Sequence, residues 1–239
     1  MKKPVSKSGL WQQRTLVKNI VKTFEAGKDM RIRLESTTIQ GESPAHLYGK
    51  VWYAQALEDC KAVAEEYGYD IRHVVGACAA LSPSSRWFYR GKGGRPLGNL
   101  ADTEKAVRAH RDGTQDTVVL QAYGQNKRKA FAILDAPADW GTIQDILKAP
   151  KTQSFATCII QGGKTEAVCV DGHAYNIAMG KQKPLKAVPS LRSAGRYESL
   201  EKAYKKAAEL ISKESGDFYS GCDVQAATWV IWRNMHGVA

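Results

Sequence analysis

The sequence has no apolar run approaching the ~18 residues that a membrane-spanning helix needs, so no membrane partner is expected. It has no Cys-x-x-Cys pair. Its five cysteines, Cys60, Cys78, Cys158, Cys169 and Cys222, are odd in number and far apart. That spacing argues against a zinc ribbon, a disulfide framework and a four-cysteine iron–sulfur centre, and it points to reduced thiols packed in a core. The opening Met1-Lys2-Lys3-Pro4-Val5-Ser6-Lys7 is basic with no apolar stretch behind it, so no secretory signal is expected. A cytoplasmic protein is the expectation, in the host cytoplasm if the chain is phage-encoded. No internal repeat or long low-complexity stretch is present.

Acidic residues are outnumbered. The 239 residues carry 35 Lys+Arg against 24 Asp+Glu, a net charge of +11. A basic surplus favours polyanionic partners, because each neutralised phosphate releases a condensed counterion. The basic residues gather in glycine-rich loops, above all Arg90-Gly91-Lys92-Gly93-Gly94-Arg95-Pro96, which makes nucleic acid the expected partner over simple solubility.

Alternating β-branched runs are scarce, and helical periodicity runs almost throughout, which predicts an all-α fold. Helices are expected over 10–26, 47–67, 71–81, 100–112, 125–134, 143–148, 152–161, 172–179, 197–213 and 222–236. The stretch 71–81 is rich in Ala and Val and reads as buried on most sides. Ser82-Pro83-Ser84-Ser85 breaks the chain, and its serines offer caps for a further helix from Arg86. Residues 181–196 read as a basic connector.

Chemistry concentrates in two places. Ala167-Val168-Cys169-Val170-Asp171-Gly172-His173-Ala174 joins an apolar stretch to an Asp-x-His pair at a helix start. Upstream, Leu147-Lys148-Ala149-Pro150-Lys151 reads as a tight turn between two helices. Asp171 at that position also fits an ordinary N-cap, and His173 also fits a histidine satisfied in the core. Neither has a His or Cys partner at ligand spacing, so no metal and no cofactor are expected. Arg86, Trp87, Phe88 and Tyr89 offer aromatics that either stack on a base or pack at a helix start.

Taken in order, these segments resemble the helix-hairpin-helix DNA glycosylases of the endonuclease III-like kind, over residues 50–237. Ala79-Ala80-Leu81-Ser82-Pro83-Ser84 resembles the helix end and loop that precede the residues facing the extruded base. Gln121-Ala122-Tyr123-Gly124-Gln125-Asn126-Lys127-Arg128-Lys129-Ala130 resembles the loop and Lys-Ala helix before the hairpin. Val168-Cys169-Val170-Asp171-Gly172-His173 resembles the family's Val-Asp-Thr-His segment, and 224–233 sits where its final core helix lies. The chain also looks like a group of phage and actinobacterial proteins built on this plan.

The resemblance implies a two-lobed fold with a central cleft. Residues 1–45 would form an N-terminal helix and extension. Residues 46–239 would form the glycosylase-like domain, with one lobe from 80–170 and the other from both chain ends. It implies a monomeric, base-flipping enzyme on double-stranded DNA, with Asp171 and His173 as catalytic residues. Arg86, Trp87, Arg90, Lys92, Arg95, Lys127, Arg128, Lys148, Lys151 and Ser154 would contact nucleic acid.

Two departures stand out. The hairpin lacks the glycines of a Leu-Pro-Gly-x-Gly core, and Ser154 takes the place of the Schiff-base lysine of bifunctional members. A monofunctional N-glycosylase is therefore the leading expectation. The alternatives are a phage thymine-hypermodification transferase, moving an amine or amino acid onto an activated 5-hydroxymethyluracil, and a non-catalytic DNA-binding module.

Overall fold

The structure, a computed structural model, describes residues 7–33, 42–83, 85–87, 89–90, 96–191 and 194–237. The chain is mostly helical, with ten α-helices among the described residues. In order these are α1 (Lys7–Ala26), α2 (Ala45–Tyr67), α3 (Ile71–Leu81), α4 (Asn99–Arg111), α5 (Gly124–Asp135), α6 (Trp140–Leu147), α7 (Pro150–Ile160), α8 (Gly172–Met179), α9 (Ala194–Ser215) and α10 (Gly221–Met235). Two short ribbons accompany them: β1 (Arg31–Arg33) with β2 (Glu42–Pro44), and β3 (Tyr89–Arg90) with β4 (Pro96–Leu97). The all-α expectation holds. No helix among the described residues is long and apolar enough to cross a membrane.

One predicted element is corrected. No helix starts at Arg86. The Arg86 carbonyl accepts the Asn99 N–H (2.7 Å) and the Trp87 carbonyl accepts the Leu100 N–H (3.0 Å). The segment thus runs against the uncapped first turn of α4 and then enters the antiparallel β3–β4 ribbon, with Tyr89 opposite Leu97. Aromatic residues favour that extended pairing over a helix. In addition, the predicted connector 181–196 holds a 3-10 turn at Leu185–Ala187, and its last residues already belong to α9.

The chain divides into two compact units. The first takes residues 1–32, 42–53 and 163–239; the second takes 33–41 and 54–162. In the first, Leu16, Val17, Ile20 and Phe24 of α1 follow helical spacing and share one core with Ile177 of α8, Tyr204 and Ile211 of α9, and Val224 and Ala227 of α10. In the second, α3 is buried from Val74 to Leu81 and packs against α4, α5, α6 and α7. Small side chains allow that enclosure: a Cβ on Gly76 would lie 2.7 Å from Ile143 Cγ2 and 2.9 Å from Ile133 Cγ2.

Helix starts are fixed locally. Asp70 caps α3 through the Arg72 N–H (2.8 Å) and holds the Arg72 guanidinium at 2.6 and 2.7 Å. Ser220 and Asp223 form a reciprocal capping box on α10. In the second unit the Tyr69 hydroxyl donates to His110 Nδ1 (2.5 Å), and His110 Nε2–H donates to Asp135 (2.8 Å). This chain of bonds ties the α2–α3 turn to the last turns of α4 and α5.

Candidate functional site

In the first unit the approach to Asp171 is rigidly held. Val168 and Val170 are fully buried, and Cys169 is buried beside them. Tyr197 of α9 clamps the stretch: its hydroxyl donates to the Val168 carbonyl (2.8 Å) and accepts the Val170 N–H (3.1 Å). An extended segment without a sheet thereby satisfies its buried backbone. At its end Asp171 is the N-cap of α8, and Oδ1 accepts the Ala174 N–H at 2.8 Å.

The other carboxylate oxygen, Oδ2, accepts the indole N–H of Trp229 on α10 at 3.2 Å. The Trp229 ring lies edge-on to His173 (centroids 6.5 Å) and tilted to Trp52 (6.1 Å), and the Arg233 guanidinium sits 4.2 Å over it. Beneath, the fully buried Tyr204 donates to the Ala174 carbonyl (3.2 Å). Burial, with Asp171's charge adding to it, pushes the Tyr204 hydroxyl well above the ordinary phenol range, so it serves as a neutral donor. Asp171, Gly172 and His173 are half-buried.

In the second unit α6, a two-residue turn and α7 form a tight helical hairpin. Lys148 has φ 61° and ψ −41°, and the Ala149 N–H donates to the Leu147 carbonyl across it at 2.7 Å. This is a γ-turn of the strained kind, and Lys148 is the one non-glycine with positive φ among the described residues. Side chains lace the bend. Gln153 Nε2 donates to the Gln144 carbonyl (2.9 Å), Thr152 Oγ1 to the Ala149 carbonyl (3.0 Å), and Lys129 Nζ of α5 to the Leu147 carbonyl (3.1 Å). Lys148 is exposed at the tip, while Lys151 and Ser154 follow, half-buried, on the first turns of α7. Pro150 at the first position of α7 carries no N–H and suits a helix start.

The remaining predicted contacts are placed unevenly. Arg86 is exposed. Trp87, in contrast, is 4% exposed and donates its indole N–H to the buried Asp59 (3.4 Å), so it faces the interior and not a base. Arg90 lies on β3 opposite Pro96, and Lys92 and Arg95 fall outside the described residues. Lys127 donates to the Val118 carbonyl (2.9 Å) and lies over Phe131, which gives it a structural task in holding the α4–α5 loop. Arg128 is exposed beside the first turn of α5.

Three residues that matter here were not picked out as functional from the sequence. Trp229 reads as core packing by its spacing, although Arg233 one turn later was a signal. Lys129 is a plain helical lysine by pattern. Tyr123, 65% exposed at the start of α5, is an aromatic available at the surface where Trp87 is not.

All five cysteines are buried, and none forms a disulfide. Among the described residues no three His, Cys, Asp or Glu side chains converge as metal ligands would.

A family model described as DUF7178, a family of unknown function, matches residues 2–236, and the chain belongs to that family. No curated protein and no solved structure matches it.

Proposed function

We propose that this chain is a base-flipping enzyme acting on DNA, a monofunctional N-glycosylase of the helix-hairpin-helix kind with a two-lobed fold. The observation that carries the reading is one sequence of elements. A tight helical hairpin bearing Lys148 at its bend is followed by a clamped, buried segment that ends in Asp171, a carboxylate held by two donors at a helix start.

An N-glycosidic bond breaks with its electron pair leaving on the base, and cationic character builds on the sugar. A fixed carboxylate at that carbon stabilises the charge and orients the water that adds there, the water's proton passing to the carboxylate or solvent. Asp171 has that role, with His173 beside it. Such chemistry requires the nucleotide to leave the stack. Exposed Lys148, Arg86 and Arg128, with Lys151, supply phosphate contacts, and Tyr123 supplies a stacking face. The chain acts as a monomer in the cytoplasm.

A transferase acting on a hypermodified thymine is the second reading. It is favoured by Ser154 in place of a lysine and by a hairpin without glycines.

The test is incubation with ordinary DNA and with DNA from a modified phage, followed by nucleoside mass spectrometry. Free base with abasic sites supports the glycosylase. A changed nucleoside mass without abasic sites supports the transferase. Binding without product leaves only a DNA-binding module. Because Ser154 cannot form an imine, borohydride is expected to trap no enzyme–DNA adduct; a trapped adduct would place a nucleophilic amine in the site and overturn the monofunctional assignment.

A further inference from the structure

From outside its own helix the Asp171 carboxylate accepts the Trp229 indole N–H, 58 residues away in sequence. That indole is itself covered by a cation, the Arg233 guanidinium at 4.2 Å. We propose that Trp229 and Arg233 form a positioning pair that holds the Asp171 carboxylate oriented for the reaction, and this rests on the glycosylase reading for what the carboxylate then does.

Ala174 N–H fixes Oδ1 but leaves the carboxylate free to swivel about its side-chain bond; a second donor on Oδ2 removes that freedom. Two fixed oxygens direct their remaining lone pairs to one place, which is what stabilisation of a developing cation requires. A cation over an indole face draws electron density from the ring, making the N–H a stronger donor to an anion. Arg233 thus adds positive potential near Asp171 through the ring.

The position of Trp229 is set independently of Asp171. It lies on α10, which α2 crosses closely at Gly49 and Ala227, and Tyr53 of α2 donates to Gln225 (2.8 Å), one turn before Trp229. The ring also contacts Trp52. The donor is therefore held before any substrate arrives, as preorganisation demands. A core tryptophan with no such task needs neither a carboxylate partner nor a covering arginine.

The experiment uses the full chain and two readouts. In 1H–15N correlation spectra the Trp229 indole cross-peak is assigned by its loss in Trp229→Phe. It is expected downfield, to move upfield in Asp171→Asn, and to move upfield by a smaller amount in Arg233→Gln. In single-turnover and steady-state assays on a substrate found as above, Trp229→Phe is expected to lower kcat about tenfold with KM unchanged, the ring being kept and one charge-assisted hydrogen bond lost.

A cross-peak that ignores Asp171→Asn overturns the proposal whatever the DNA assays show. So does a folded Trp229→Phe variant with full kcat. If Trp229→Phe does not fold, Arg233→Gln carries the kinetic test in the same direction, and full kcat in that variant overturns the part given to Arg233. If no DNA yields a product while the cross-peak responds to both changes, the glycosylase reading fails and the hold on the carboxylate stands.

Discussion

Gly49 of α2 meets Ala227 of α10 so closely that a Cβ on Gly49 would sit 2.1 Å from the Ala227 Cα and 2.5 Å from its nitrogen. The obstacle is backbone, which cannot swing aside as a side chain would. Gly49→Ala is expected to destabilise the protein by about 3 kcal/mol or more, lowering Tm by roughly 6–12 °C for a chain of this size. Calorimetry checks this, with Gly195→Ala as the control, since nothing lies within 4 Å of a Cβ there. Equal melting of Gly49→Ala and the wild type would mean the two helices do not cross at this point.

Asp171→Asn keeps the cap and the shape while removing the charge. Folding and DNA binding are expected to survive, and turnover to fall on the order of 100-fold, as when one well-placed electrostatic group worth ~3 kcal/mol is lost. Single-turnover base release measures it. An Asn variant with full activity would leave Asp171 as a helix cap and nothing more.

Lys148 and Lys151 sit at and just after the hairpin bend, and neutralising both to Gln should flatten the plot of log affinity against log salt by about two units. Lys127→Gln should leave that slope unchanged and lower stability instead, because its ammonium holds the Val118 carbonyl. Fluorescence anisotropy across a salt series separates the two. An unchanged slope for the double variant would remove the hairpin from the DNA interface.

Acid stability carries a signature of Asp70. Its bonds to the Arg72 side chain and N–H hold its carboxyl at about 2, below the ordinary 3.8. A group whose folded value is depressed stabilises the fold above its unfolded value and loses that contribution as pH falls toward the folded one. Asp70→Asn keeps the cap but loses the charge-assisted bonds to Arg72, so it should cost about 1 kcal/mol at neutral pH, and the difference from wild type should shrink from about pH 4 downward and be largely gone by about pH 2. Denaturant melts at stepped pH would show it; a gap undiminished at about pH 2 would mean the carboxylate's charge is not what matters.

The helices were readable from the sequence because their burial follows a period. The stretch 71–81 reads as buried on most sides, and Val74 to Leu81 are buried. Asp171 was readable as a helix start because a cap is a local matter of three residues. The segment after Ser85 was misread because serines offering caps outweighed the preference of Trp87 and Tyr89 for extended backbone, and the deciding bonds come from Asn99 and Leu100, beyond any local window. The indole on Asp171 was not readable at all. Its partner is distant in the chain, and helical spacing assigns Trp229 to a face of α10 without saying what that face touches. Lys127 shows the same limit: a lysine's charge is evident in sequence, whereas the carbonyl that takes it is not.

The bend at Lys148 sets two demands against each other at one position. Glycine would adopt that backbone without strain, yet glycine carries no ammonium. If the hairpin grips phosphate, variants of this protein chosen only for heat tolerance should drift toward glycine at 148 and become poorer at holding DNA. Variants chosen for DNA retention should keep a basic residue there and tolerate the strained turn. The identity of this single residue would then record which pressure a lineage has met.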